Sequence, residues 1–412
     1  MLQRAGSTVS LLPSEPEEVG LSSARLTRIA EFFGEAVERG RVPGAVIGIA
    51  RRGKLAYLEA FGLRDPQTRE PMAPDAIFSI ASMTKPLTTV AALMLFEQGR
   101  LFLLDPVETY LPSFARRFVG VQRNAANGES VVDRVPAERS ISIQDLMRHT
   151  SGLTYGNRGD TAIHKMYPLS SITAATMTGE EFLRALETLP LLHQPGAVWE
   201  YGFSTDVLGL VVEAVAKQSL SSFLQEHLFA PLRMNDTHFV IPQDKAGRYA
   251  KAFRSDPETG LPQSIPDATQ PAKFECGGAG AVSTAGDYIR FAQMLLNKGE
   301  LDGTRILARK TIELMTANHL DGHVQNNIAK MVSTLVGYTF GLGVAVRREK
   351  GLAPLPGSPG DFTWTGVFGT YFLVDPKEEL VVVYMSQVPG SPDVRAHYRQ
   401  AVSTLVQQAI ID

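Results

Sequence analysis

The segment that decides the fold is FSIASMTKPLT at residues 78–88, which is followed by an apolar run from Val90 to Phe96. Its apolar side chains recur at helical spacing, a proline is tolerated in the first turn, and Gly99 ends the pattern. A helix is therefore predicted here, with Ser82 as its N-cap. Ser82 and Lys85 are three positions apart. In a helix their side chains leave the same face, one turn apart.

This pair predicts a nucleophile and a base. A serine hydroxyl is a weak nucleophile until a base removes its proton, and a partly desolvated lysine can be that base. At a helix N-terminus the exposed N–H groups also help to stabilise an oxyanion. A capping serine beside a solvated lysine is the simpler explanation of any S-x-x-K motif taken alone. The chain contains no second S-x-x-K, however, and no G-x-S-x-G motif competes with it.

Composition indicates a large globular protein. The chain has 412 residues, 44% of them hydrophobic, and a formal net charge of -3, so it is long enough for two or three domain-sized units and gives no electrostatic reason to expect nucleic acid as a partner. Its one cysteine, Cys276, excludes an internal disulfide. Residues 1–20 do not resemble a signal peptide, and the longest apolar runs are too short to span a bilayer. A cytoplasmic location is therefore expected.

Strands are predicted near both ends of the chain, with helices between them. β-rich runs mark the strands, and apolar spacings of three and four mark the helices. The predicted strands are Ala45–Ala50, Leu55–Phe61, Gly337–Val346, Phe362–Val374 and Leu380–Ser386. Besides the Ser82 helix, the predicted helices include Leu26–Val37, Ile143–Arg148, Gly179–Thr188, Thr205–Lys217, Phe223–Phe229, Thr311–Asn318 and Val394–Ile411. Between about residue 105 and residue 235 no strand is expected, and the polar segment up to Arg139 is interpreted as a surface loop.

This order of elements predicts an α/β (α+β) fold, in which one antiparallel sheet is built from both ends of the chain and flanked by helices. Residues 1–104 and 236–412 are assigned to a discontinuous α/β domain, and residues 105–235 to an inserted, mainly helical domain. The cleft between the two domains is the expected place for a substrate.

Two further motifs are candidates for chemistry. Tyr201 falls on a loop just before a predicted helix, and a tyrosine beside an ammonium group can transfer protons, although a packed tyrosine is the commoner finding. Thr363–Gly369 contains Gly366, and a glycine in a strand often marks close approach of a ligand. Gly366 could leave the N–H of Val367 free to bind a substrate carbonyl, while a bulge glycine beside a packing tryptophan explains the pattern equally well.

The histidines and the cysteine give weaker signals. His149 is explained by a contact at a helix C-terminus. His319 and His323 have the spacing of metal ligands on a helix, but Asp321-Gly322 between them predicts a turn, so no metal site is predicted. The remaining histidines are scattered singly and leave a Ser-His-Asp triad open. Cys276 is interpreted as a small packed side chain.

Together these segments resemble the serine β-lactamase and penicillin-recognising superfamily, most closely the class C β-lactamase-like branch that contains family VIII carboxylesterases and related acyltransferases. The resemblance covers about residues 20–390, and the combination of motifs is far more specific than any one of them. The matching segments are Ser82-Met83-Thr84-Lys85, Tyr201-Gly202-Phe203 and Trp364-Thr365-Gly366, with Arg148–Leu153, Pro195-Gly196 ahead of Trp199-Glu200-Tyr201, and Gly277–Thr284 as further similarities.

The resemblance implies a β-lactamase-like fold and a role for each motif. Ser82 is the implied acylated nucleophile, and Lys85 and Tyr201 share the acid and base work. The backbone N–H groups of Ser82 and Val367 form the implied oxyanion hole. No cofactor is required.

Two departures from the family pattern shift the expected substrate. Phe203 stands where β-lactamases and peptidases have the asparagine of Y-x-N, and Trp364 replaces the lysine of K-T-G, which helps to hold a substrate carboxylate. With Thr365 and Gly366, these residues are the predicted substrate pocket, which is expected to be apolar and uncharged. Tryptophan at this position is similar to family VIII esterases and to acyltransferases that load a polyketide side chain.

The predicted function is therefore a serine carboxylesterase that hydrolyses small or medium esters through an acyl-enzyme at Ser82, possessing at most weak β-lactamase activity. The expected partner is a small-molecule ester. Three alternatives stay open at this point: an acyltransferase that uses the same acyl-enzyme, a β-lactamase or D-amino-acid peptidase, and a non-catalytic ligand sensor.

Overall fold

The computed structural model describes residues 11–124, 130–320 and 322–412. Within them the largest sheet has eight strands in the order β10-β11-β12-β13-β14-β1-β2-β3, and every neighbouring pair is antiparallel. The strands are β1 Gly44–Arg51, β2 Lys54–Asp65, β3 Glu70–Pro71, β4 Phe78–Ser79, β5 Phe118–Asn124, β6 Ser130–Pro136, β7 Val282–Ser283, β8 Glu300–Leu301, β9 Thr304–Arg305, β10 Tyr338–Phe340, β11 Ala345–Arg347, β12 Phe362–Thr365, β13 Tyr371–Asp375 and β14 Leu380–Ser386.

The helices surround this sheet. They are α1 Ser23–Glu38, α2 Thr84–Glu97, α3 Ile143–Met147, α4 Ser171–Ala174, α5 Gly179–Glu187, α6 Ser204–Ala216, α7 Leu220–Leu224, α8 Ala285–Leu296, α9 Arg309–Met315, α10 Ile328–Met331 and α11 Pro392–Gln407, and a π-helical turn Gln225–Phe229 continues α7. α1 and α11 cover one face of the sheet, and α8 packs on the other against β1, β13 and β14.

The pairing of β1 with β14 joins the two ends of the chain. Ile47 opposes Tyr384 and Ile49 opposes Val382 across this pair, and these side chains pack against α1 and α11. The alternate residues Val46 and Val383 face the opposite side, where α2 and α8 lie. Because successive side chains of a strand point to opposite faces, a sheet buried on both faces reads as a continuous apolar run. The predicted α/β architecture, with one antiparallel sheet built from both ends, is confirmed.

The prediction that no strand occurs between residues 105 and 235 is wrong. β5 and β6 form a hairpin, with Phe118 opposite Pro136 and Val121 opposite Asp133. Much of this hairpin is exposed, so its strands carry polar and charged residues and lack the apolar run that marks a buried strand. The division of the chain into residues 1–104 with 236–412 and an insertion of residues 105–235 stays a prediction.

Two predicted strands are each two strands joined by a turn. The first, Gly337–Val346, is the pair β10 and β11, and Gly343 between them has a φ of 76°. The second, Phe362–Val374, is the pair β12 and β13. The chain reverses between them because Gly366 N–H donates to Thr370 and Gly369 has a φ of 111°. The continuous apolar composition of both segments hid these turns.

No single helix among the described residues combines the length and apolar composition that a membrane crossing needs, although the bent pair Ser204–Ala216 and Leu220–Phe229 passes on those two criteria when taken together.

Candidate active site

Ser82 lies in a 3-10 turn, Ala81–Met83, immediately before α2. Ala81 holds the left-handed conformation, with a φ of 43°, which a non-glycine residue seldom adopts and which is concentrated at functional sites. The turn lies beside β12 and is tied to α8, because the Tyr288 hydroxyl donates to Met83 O at 2.9 Å. The prediction that Ser82 caps the helix is wrong. Met83 occupies the N-cap position without a side-chain bond, and the Ser82 side chain is left partly exposed.

Lys85 lies in the first turn of α2 and is 1% exposed. Its Nζ donates to Gly278 O at 2.7 Å, to the Tyr155 hydroxyl at 3.3 Å and to Ser82 Oγ at 3.4 Å. Three acceptors match the three N–H donors of an ammonium group. The spacing of three residues thus brings the predicted nucleophile and base into contact.

Tyr201 precedes α6 on a loop, as predicted, and its ring lies under Lys85 with Nζ 4.6 Å from the ring centroid. Trp199 stacks on it at 6.1 Å, and Trp364 lies at 5.5 Å. An ammonium group over an aromatic face is attracted by the ring quadrupole. Lys85 is therefore in contact with both Ser82 and Tyr201.

The Trp364-Thr365-Gly366 segment ends β12 and begins the turn toward β13. A Cβ at Gly366 would meet Ile80 O at 2.4 Å, so glycine lets this segment approach the chain just before Ser82. Val367 is 42% exposed. Within the described part of the chain its N–H donates no hydrogen bond, which leaves it available for a substrate oxygen.

One cavity of about 360 Å³ joins most of these residues. Ser82, Tyr201, Trp364, Thr365 and Val367 all line it. Phe203 does not line it. That side chain is fully buried against Tyr155, Tyr167 and Phe182, with ring centroids 4.6, 6.4 and 5.2 Å away.

The charge of this cavity differs from the sequence-based expectation. Arg158, Lys330, Arg395 and Arg399 line it, with Asp393 as one acid. None of the four cations forms an ion pair with a described carboxylate. Because Trp364 replaces the lysine of K-T-G, an uncharged pocket was predicted. The cavity is instead lined by cations from three segments that are distant in the sequence.

Arg399 is the most enclosed of these cations. It is 8% exposed and donates to Gly366 O, while its Nε has no partner among the described residues. Burial lowers the pKa of Arg399 to about 9, and neighbouring Arg395 adds to this effect. The guanidinium of Arg399 is thus a buried cation that forms no ion pair with any carboxylate in the described part of the chain.

Behind Lys85 lies a polar cluster that the sequence analysis did not single out. Asp206 of α6 is 0% exposed and accepts hydrogen bonds from the Gly278 N–H at 3.1 Å, from the Ser171 hydroxyl at 2.8 Å and from the Tyr155 hydroxyl at 3.4 Å. Burial raises the pKa of Asp206, and the Lys85 charge opposes that rise. A carboxylate inside an otherwise apolar helix was the available sequence signal.

His149 packs against Tyr201, with ring centroids 4.9 Å apart, and its Nε2 lies 3.3 Å from the Thr205 hydroxyl. Burial, followed by the Lys85 charge, holds the pKa of His149 well below its usual value. Among the described residues no histidine is within hydrogen-bond distance of Ser82 Oγ. A Ser-His-Asp arrangement at Ser82 is therefore not formed.

The other weak signals have structural roles. The His319 ring nitrogens contact Gln144 and Leu314 O. The predicted turn at Asp321-Gly322 includes Asp321, which lies outside the described residues. In residues 11–124, 130–320 and 322–412, no group of three His, Cys, Asp or Glu side chains is placed to hold a metal ion. Cys276 is buried, and burial raises the pKa of its thiol well above the usual range.

A second, smaller cavity of about 150 Å³ is lined in part by residues 279–281 and has mostly apolar walls. Phe239, Phe274, Pro271 and Phe368 contribute to it. Phe368 directly follows Val367 of the larger cavity, so the two cavities approach each other beside the Ser82 turn.

This fold and this serine-lysine site define a serine hydrolase or acyltransferase of the β-lactamase fold. The sequence matches the Beta-lactamase family over residues 29–405, and the chain belongs to that family. The resemblance drawn from the motifs is thereby confirmed.

The relatives include proteins of different activity. Protein Rv1367c of Mycobacterium tuberculosis (strain ATCC 25618 / H37Rv) is 35% identical over 375 residues, which are 90% of this chain and 91% of that protein. Esterase EstB of Burkholderia gladioli is 30% identical over 381 residues, which are 88% of this chain and 90% of that protein. Among solved structures, EstCE1, a hydrolase with promiscuous acyltransferase activity, has a TM-score of 0.74 at 26% identity and covers 94% of this chain and 99% of its own.

Proposed function

We propose that this protein is a serine carboxylesterase that cleaves small or medium carboxylic esters through an acyl-enzyme at Ser82. The observation that carries the proposal is the position of Lys85 Nζ, 3.4 Å from Ser82 Oγ and 4.6 Å from the centroid of the Tyr201 ring. Lys85 then contacts both Ser82 and Tyr201, and the latter two line one cavity, which is an arrangement suited to acyl transfer to a serine.

The reaction follows from this arrangement. The Lys85-Tyr201 pair, in the form that has already lost one proton, takes the Ser82 proton while Oγ attacks the ester carbonyl carbon. The oxyanion accepts hydrogen bonds from the Ser82 and Val367 N–H groups. The same pair returns the proton to the departing alkoxide. Water then attacks the acyl-enzyme, and the carboxylic acid leaves as Ser82 regains its proton.

A cofactor has no part in these steps, and Trp364, Thr365 and Gly366 serve as pocket walls beside the oxyanion. The predicted pocket role of Phe203 becomes an indirect one in this proposal. Its buried ring supports Tyr155, with 4.6 Å between the ring centroids, and does not face the substrate. The esterase relative at 30% identity and the cytoplasmic location inferred from the sequence are compatible with such an enzyme.

Acyl transfer to an alcohol or amine is the second candidate. It uses the same acyl-enzyme, and the similarity to EstCE1 favours it. Product analysis with and without an acceptor alcohol separates the two reactions, because hydrolysis releases free acid whereas transfer yields a new ester.

The test of the proposal is Ser82→Ala with a panel of short-chain and medium-chain aryl esters. We expect turnover to fall to the uncatalysed background while the circular dichroism spectrum is unchanged, and we expect mass spectrometry to find the acyl adduct on Ser82 in the wild type. Ser222→Ala, at an exposed serine of α7, is the matched control and should retain full turnover. Undiminished turnover in Ser82→Ala would refute the assignment.

A further inference from the structure

The carboxylate of Asp206 is buried, although it belongs to the largely apolar helix α6. α6 is buried from Ser204 to Val212, and Asp206 is 0% exposed. Removing a carboxylate from water is costly unless hydrogen bonds and a nearby opposite charge compensate. Within the described residues no arginine, lysine or histidine forms a direct ion pair with Asp206. Its compensation comes from the Gly278, Ser171 and Tyr155 hydrogen bonds and, through them, from Lys85.

Two of those three partners also bind Lys85. The Tyr155 hydroxyl accepts from Lys85 Nζ at 3.3 Å and reaches Asp206 at 3.4 Å. Gly278 accepts from Lys85 through its carbonyl at 2.7 Å and donates to Asp206 through its N–H at 3.1 Å. A Cβ at Gly278 would lie 2.6 Å from the Asp206 carboxylate, so this approach requires glycine. The carboxylate thus fixes both groups that orient the ammonium.

We propose that Asp206 is a positioning residue for the reaction at Ser82, which holds Lys85 Nζ toward Ser82 Oγ through Tyr155 and Gly278 and balances its charge inside the protein. This inference rests on the proposed function. The proposal also bears on Phe203. The Phe203 side chain has no polar group, whereas Asp206, three residues later in the first turn of α6, bonds the two groups that contact Lys85.

The groups that face this pair come from several segments. Tyr155 and Tyr201 lie against Lys85, His149 packs on Tyr201, and Cys276 donates to Ser171 O. Burial raises the pKa values of Tyr155 and Cys276 and lowers that of His149, so all three are neutral at ordinary pH. These three groups therefore add no charge beside Lys85 and Asp206.

The decisive variant is Asp206→Asn, which keeps the shape and an acceptor for the Gly278 N–H but removes the negative charge. The probe is a fluorophosphonate, which labels an activated serine regardless of the natural ester, followed from pH 5 to pH 10 beside aryl-ester turnover. We expect labelling and kcat to fall about 10-fold to 100-fold with KM changed less than about 2-fold. The acid limb of the rate profile should move to lower pH, because the ammonium form of Lys85 loses its counter-charge.

Asp287→Asn is the matched control. Asp287 is another buried carboxylate, but it bonds Asp236 and Thr237, away from Lys85. It should lower thermal stability without moving the pH profile. A profile of Asp206→Asn that superimposes on that of the wild type would overturn the proposal, as would wild-type labelling.

If Asp206→Asn does not fold, Tyr155→Phe provides the test, because it removes one of the two links between Lys85 and the carboxylate. We expect slower labelling at unchanged KM, and a wild-type rate would again overturn the proposal. Failure of the proposed function looks different, since wild-type protein would then show no label on Ser82.

Discussion

The two sides of Ser82 differ in how their charges are balanced. On the interior side, Lys85 and Asp206 are both buried and are joined through Tyr155 and Gly278. On the cavity side, four cations line the walls beside Asp393, and none of them forms an ion pair with a carboxylate of the described residues, although Asp256 acts on Arg395 at longer range. Lys85 and Asp206 thus share hydrogen-bond partners inside the protein, whereas the four cavity cations form no ion pair with a carboxylate of the described residues. From this difference we expect that Lys85 and Asp206 act on the reaction at Ser82 and that the cavity cations influence which substrate binds.

The largest expected effect comes from removing the interior cation. Lys85→Ala should lower kcat for aryl esters by about 1,000-fold or more, because Ser82 loses its base and Asp206 is left as an uncompensated buried charge. Thermal stability should fall as well. The measurements are steady-state kinetics and a melting curve. An Asp206→Asn, Lys85→Ala double variant should recover part of the stability and none of the activity, and recovery of turnover would contradict the interior assignment.

Tyr201→Phe should have the next largest effect, at the boundary between the two sides. It removes a hydroxyl that carries protons but keeps the ring beneath Lys85, so kcat should fall about 100-fold while the fold is unchanged. Tyr167→Phe is a suitable control, because the Tyr167 hydroxyl bonds Pro190 O in the neighbouring core. If Tyr201→Phe turned over esters at a normal rate, the second proton carrier would have to be another group.

Local spacing predicted the contact between Ser82 and Lys85, and the family resemblance gave the pair its predicted roles, but neither predicted the groups that support Lys85. Ser82 and Lys85 are one helical turn apart, and Tyr201 lies just before a helix, so periodicity brings each motif to a defined place. Asp206 lies in the same apolar run that predicted α6. The apolar spacing of that run predicts a helix even with one polar residue in it, but it does not indicate which groups contact that residue. Its partners Tyr155 and Gly278 come from segments far away in the chain, and only the tertiary fold brings them together.

The residues of the cavity side were predicted least well, again because they come from segments that only the tertiary fold brings together. The cavity cations come from distant parts of the chain, and none of them belongs to a motif. Arg158 and Lys330, for example, are more than a hundred residues apart. The strand from Phe362 to Val374 was also expected to be continuous, although the turn after Gly366 is what exposes Val367. Apolar composition describes burial in such a segment but does not report where the chain reverses.

The smallest expected effect tests the cavity cations. The substrates are an aryl butyrate, the aryl hemisuccinate that adds a carboxylate to the acyl part, and a carboxyphenyl butyrate that adds it to the alcohol part. At least one anionic ester should be favoured about 3-fold to 10-fold in kcat/KM at low ionic strength, and the preference should fall in 1 M salt, where the screening length is only about 3 Å. Lys330→Gln should reduce this preference without changing butyrate turnover, whereas Lys310→Gln, at an exposed lysine paired with Glu313, should not. Equal rates for all three esters at low salt would show that the unpaired cations do not select the substrate, and the contrast between the two sides of Ser82 would then be one of burial alone.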